Sequence, residues 1–243
     1  MTTETNKIKV FGGQVWQLFK WSIPSALMYI CTGATLMMIT LEENQMLWNN
    51  EKLIWTLVFG LVALAFNAFV TYGIGGDGYE MLVSGNIQRT SMDERGDGLK
   101  ISSHKYVKEY RVWKGFVFGA FTAVYTLFFG IMFGCNQEAI NAEMVSLGIS
   151  ALHFFGFLLS GWTLLPLYYL NMSGIAVSYF VSCAFAILPI VVSGVFYILG
   201  AYGKRNKAIK KQRLADQAAA AAAAKEKKIN YGGLPGTKPK KRK

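Results

Sequence analysis

The sequence predicts an all-α fold: a multi-pass transmembrane helical bundle of about five membrane helices, with four to six compatible with the pattern. Three observations predict it. Four long tracts, residues 21–41, 53–76, 115–137 and 144–203, contain no Asp, Glu, Lys or Arg. In hydrocarbon every backbone amide needs an internal partner, so apolar runs of roughly 20 residues mean spanning helices. Hydrophobic residues make up 53% of the 243 and charged residues 16%, against about 25% charged in a soluble domain. Tryptophans also stand at the starts of three tracts, Trp21, Trp48 with Trp55, and Trp113, where an aromatic belt meets the interface.

The elements follow in order. Residues 1–20 form an N-terminal interfacial segment: Phe11, Val15, Leu18 and Phe19 recur at helical spacing, before Pro24 redirects the chain. The long apolar run that follows exceeds a signal-peptide core and reads as the first span, residues 21–41. The second span covers about 53–74 and the third about 115–134. The tract 144–203 is too long for one crossing, and Pro166, Asn171 and Gly174 mark its natural break. It divides into spans at about 145–170 and 174–201. Residues 21–201 therefore make one transmembrane domain, and 202–243 a basic tail that is part helical, part disordered. No internal repeat supports a two-halves transporter.

Charge is segregated. Of 25 Lys and Arg, 14 lie from Lys204 onward, seven between Arg89 and Lys114, and four elsewhere. The short loops beginning at Glu42 and near Asn136 carry Glu42, Glu43, Glu51, Glu138 and Glu143 against Lys52 alone. The positive-inside rule places both the loop 75–114 and the tail in the cytoplasm, here of a bacterial plasma membrane. Five simple crossings cannot satisfy both. Either the final tract crosses an odd number of times, as three short spans or as one span and a re-entrant hairpin, or one basic segment faces out.

Small residues suggest helix packing. Gly115, Gly119 and Ala123 recur at four-residue spacing in the third span, and Gly174, Ser178, Ser182 and Ala186 do so in the last. Such stripes let backbones approach, within one chain or by self-association.

Motifs that would carry chemistry fail on context. Residues 73–78 match G-x-G-x-x-G by letters, but a dinucleotide fingerprint follows a strand. At the end of a membrane helix these glycines read as a C-cap and turn. Residues 93–98 resemble the start of a calcium loop, yet Arg95 fills the third ligand position and repels a cation. His153 and Ser160 lie seven residues apart, roughly 10 Å along a helix, out of reach for a nucleophile and its base. Asn67 and His153 are the most polar side chains within the spans, and His153 suits an interhelical hydrogen bond. Asn171-Met172-Ser173 is a glycosylation sequon by letters, pressed against the membrane. The isolated cysteines Cys31, Cys135 and Cys183 form no metal or disulfide pattern. No charged side chain lies inside the spans, which disfavours ion-coupled transport and voltage sensing. No enzyme activity, cofactor or metal is expected.

What remains is cationic. Residues 103–114 read as a helix running into the third span, with Tyr106, Tyr110 and Trp113 as a stripe among Lys105, Lys108, Arg111 and Lys114. The tail presents Lys204, Arg205, Lys207, Lys210, Lys211 and Arg213 at the membrane exit, an alanine tract at 218–224, and Lys240, Lys241, Arg242 and Lys243 at its end. Such clusters suit anionic lipid headgroups or a protein partner; a nucleic-acid role is disfavoured in a multi-pass protein. The expected function is a non-enzymatic membrane subunit or scaffold, with a small-solute transporter, channel or permease component as the alternative.

Overall fold

The computed structural model describes residues 2–41, 49–93, 109–141 and 147–231. The chain divides into two compact units, Met1–Ala201, which holds the bundle, and Tyr202–Lys243. Among the described residues seven helices follow in order: α1 Thr2–Leu41, α2 Asn49–Asp93, α3 Trp113–Cys135, α4 Gln137–Asn141, α5 Leu147–Met172, α6 Val181–Phe185 and α7 Ile187–Tyr231. No strand occurs among the described residues. Among the described residues five stretches, all helical apart from the break at Ala186, are long and apolar enough to cross a membrane: Phe11–Ile39, Glu51–Ser84, Trp113–Cys135, Gly148–Met172 and Val181–Ala224. The fold is the predicted helical bundle.

Several boundaries differ from expectation. The N-terminal segment is not separate: α1 runs unbroken through Pro24, and Gln14 and Leu18 are buried. Proline at this point removes the donor for the Lys20 carbonyl and crowds it, yet the helix continues. Phe11 meets Trp113 at a centroid separation of 5.7 Å and Phe19 meets Phe121 at 5.6 Å, so this part of α1 lines α3.

Helix α2 likewise continues past the expected end of its span, straight through the glycines at 73–78. They are not a C-cap. A Cβ on Gly75 would collide with the Tyr197 carbonyl oxygen, and one on Gly200 with the Tyr72 carbonyl oxygen. The two helices touch backbone to backbone here, which glycine alone permits. The expected helix over 103–114 is not continuous, because Glu109–Val112 is non-helical. Tyr110 donates its N–H to the Gly78 carbonyl at 3.0 Å and stacks on Tyr197 at 5.2 Å with an 8° interplanar angle.

The break after α5 falls near the expected place. Asn171 accepts from the Val177 N–H at 3.0 Å through Oδ1 and donates to the Val177 carbonyl at 2.9 Å, while Gly174 adopts φ 85°, a left-handed turn that glycine tolerates. The link 175–178 is non-helical. The next helix is interrupted after Phe185, where Pro189 leaves the Phe185 carbonyl without its helical donor.

Helix α5 itself is bent back at Ser160, whose φ of −133° and ψ of 20° leave the helical region. The rings of His153 and Tyr168 lie 6.3 Å apart and those of Phe157 and Tyr168 5.3 Å apart. A straight helix would separate these pairs by about 22 Å and about 16 Å of rise. The two arms of α5 therefore pack on each other, and their rings join Leu36, Phe133, Ile140 and Tyr179 in the main core.

Candidate functional site

Two features of the bundle carry polar chemistry. The first is a seam of hydroxyls and one amide inside it. Asn67, fully buried, donates from Nδ2 to Ser193 Oγ at 2.8 Å and to the Pro189 carbonyl at 3.5 Å. Thr71 donates back to the Asn67 carbonyl at 2.8 Å. Thr163 and Ser182 share a hydrogen bond of 2.8 Å between their hydroxyls. The seam thus ties α2 to α7 and α5 to α6.

Four buried oxygens make no hydrogen bond among the described residues: Ser25 Oγ, Tyr29 Oη, Asn67 Oδ1 and Ser160 Oγ. The Tyr29 hydroxyl lies beside the Asn67 side chain. Ser25 sits one turn before Tyr29 on α1, and helical side chains lean towards the N-terminus. In an apolar interior such oxygens attract water or a polar guest. The sequence marked Asn67 and Ser160; Ser25 and Tyr29 were missed, although their i, i+4 spacing was the available signal.

His153 lies among rings, stacked on Phe157 at 5.6 Å and edge-on to Phe133 at 5.9 Å. Cys31 and Cys135 are exposed and Cys183 is half-buried, all as free thiols. Among the described residues no three His, Cys, Asp or Glu side chains gather as metal ligands.

The second feature is the set of basic positions. Lys114 departs from the expectation of headgroup contact: it is 1% exposed, and its ammonium donates to the Glu109 carbonyl. Docking of Tyr110 on α2 and α7 draws the segment inwards and buries it. Arg111 is exposed. Lys105 and Lys108 lie outside the described residues, as do Lys240–Lys243 and most of the calcium-like loop. In the second unit Lys204 is half-buried, while Arg205, Lys207, Lys210, Lys211 and Arg213 are exposed on α7. At about 100° per residue these six positions point to every side of the helix.

The small-residue stripes divide. Gly115 faces Tyr197 and Gly194, and Gly119 faces Pro189, Ile190 and Ser193; Ala123 is fully buried. These contacts lie within the chain. The last stripe does not lie on one helix. Gly174 and Ser178 belong to the non-helical link, Ser182 to α6, and Ala186 to the break before α7. The Asn171 and Gly174 turn geometry prevents a helix from starting at 174.

Compared with known proteins, the chain matches no family model, no curated protein and no solved structure.

Proposed function

We propose that the protein is a non-enzymatic membrane subunit or scaffold of a bacterial plasma membrane, whose basic loop and tail engage anionic lipid headgroups or a cytoplasmic protein partner. The carrying observation is the run of cations that rings α7 from Lys204 to Arg213, five of the six exposed. Apolar side chains are sparse here, with Ile209 and Leu214 the only large exposed ones. Without an apolar stripe the helix has little to insert into a bilayer, so attraction rests on charge. Each cation contributes on the order of 1 kcal/mol near an anionic surface.

The buried seam of unpartnered oxygens favours a second reading, passage of a small polar solute through the bundle. One preparation separates the two. The full-length protein, purified in mild detergent, should retain anionic phospholipid, and a variant with Lys207, Lys210 and Lys211 changed to Glu should lose it while remaining folded. Equal lipid retention by both proteins would remove the headgroup reading. Solute flux in proteoliposomes that Asn67→Leu abolishes would move the function to transport.

A further inference from the structure

The bend in α5 decides which end of the bundle each segment occupies. One end is marked by Lys52 at the start of α2 and by Phe133 and Gly134 at the end of α3. The other is marked by Gly75 to Gly78 in α2 and by Trp113 to Gly115 at the start of α3.

Both outer ends of α5 lie at the first of these. His153 in its first arm meets Phe133, and Tyr169 in its second lies under the Lys52 ammonium, 5.7 Å from the ring centroid. The link after α5 stays there as well: Gln137 donates to the Val177 carbonyl at 3.4 Å, and Phe180 covers Gly134.

The bend itself is deep. Trp162 packs on Tyr29 at 5.2 Å and against Gly60, eight positions or about 12 Å of helix beyond Lys52. Gly33 of α1 accommodates the Phe157 and Leu158 carbonyls, where any Cβ would collide. These carbonyls end the first arm, and glycine lets them approach a Cα in place of water. The arms hold 13 and 12 residues on either side of Ser160, about 20 Å and 18 Å long. Neither spans a hydrocarbon core of about 30 Å.

Helices α6 and α7 then run the full depth, antiparallel to α3. Ser182 and Cys183 face Gly130, Ile190 faces Gly119, and Tyr197 faces Gly115. Gly200 reaches Tyr72 and Gly76 at the second end.

We infer that α5 is a re-entrant hairpin that enters and leaves the membrane on one face, so that the chain crosses four times, through α1, α2, α3 and the α6–α7 pair. The start of α1, the loop between α2 and α3, and the exit of the chain at Ala201 then share one side. The conflict posed by the basic loop and the basic tail disappears, because an even number of crossings places both on the cytoplasmic face. The acidic loops near Glu42 and Glu138 take the other. This inference rests on the membrane reading alone and not on headgroup contact, which the lipid experiment tests separately.

Single cysteines at Ser91, Gly148, Ala176 and Ala218, in a full-length chain with Cys31, Cys135 and Cys183 replaced by Ala, test it. In intact cells an impermeant maleimide should label Gly148→Cys and Ala176→Cys. Ser91→Cys and Ala218→Cys should react only after permeabilisation. Gly148 in the first turn of α5 and Ala176 in the link after it are exposed, so labelling of one without the other would overturn the hairpin. A fluorescent protein fused after Lys243 gives a readout independent of the substitutions. Fluorescence in a bacterial host supports a cytoplasmic tail; export of the fusion, with loss of fluorescence despite membrane insertion, overturns four crossings.

Discussion

Helices α3 and α5 are nearly the same object in sequence and different objects in space. Helix α5 carries no Asp, Glu, Lys or Arg and α3 carries Lys114 alone, in its first turn; they are 26 and 23 residues long. Helix α3 packs along its whole length, its glycines met by backbone and side-chain atoms of residues 180–197. Helix α5 folds at Ser160 and packs on itself. Length and hydropathy therefore identify membrane-compatible helices without saying whether each is straight. The difference lies in backbone supply. Pro166 strips the Trp162 carbonyl of its donor, Ser160 leaves the helical region, and Gly33 opens space on a neighbouring helix for the carbonyls that the bend exposes. Helix α3 has no proline and no such partner.

The sharpest way to break this comparison is Gly33→Leu. The new side chain would meet the Phe157 and Leu158 carbonyls, which cannot withdraw without undoing the bend. Overpacking typically costs 1–3 kcal/mol and more against backbone, so the melting temperature in detergent should fall sharply or folded protein be lost. Wild-type melting of Gly33→Leu would show that α1 does not hold the hairpin closed.

A smaller effect is expected from Thr163→Val, which removes the hydrogen bond to Ser182 between the second arm and α6. Interhelical bonds of this kind average about 0.6 kcal/mol in membranes. Equilibrium unfolding should register a loss near that size, and the double variant with Ser182→Ala should add little. Full additivity of the two losses would mean that the hydroxyls do not act as a pair.

The smallest effect belongs to Ser160→Ala. Its hydroxyl is fully buried without a partner, so removing it should leave stability within about 0.5 kcal/mol of wild type or raise it slightly. A large loss would reveal a bound water or solute at the bend.

The second and third spans were legible because an uncharged run flanked by tryptophan has one physical solution. The break after α5 was legible too, since Asn171 and Gly174 act locally. What escaped the sequence depends on partners. Gly73 to Gly78 reads as a turn in isolation, yet the helix continues there, and α7 lays the Tyr197 carbonyl where a Cβ on Gly75 would stand. Lys114 looks like a snorkelling cation until the docking of Tyr110 is known. The folding of α5 brings its Phe157 and Leu158 carbonyls against Gly33, more than a hundred positions away. Of the polar seam, Asn67 stood out by its chemistry, whereas Ser25 and Tyr29 are common in membrane helices and gain meaning only from what surrounds them.

The two short arms of α5 also bear on how the protein is made. Insertion machinery releases segments to lipid one at a time as they emerge, and rewards those long enough to reach both headgroup layers. Each arm alone fails that criterion, and the carbonyls at the bend find a neighbour only once α1 is in place. We expect the hairpin to be a late event in assembly, awaiting a socket formed by helices already inserted. Variants that disturb Gly33 or Gly60 should then stall as membrane-bound, protease-sensitive intermediates rather than fail to reach the membrane.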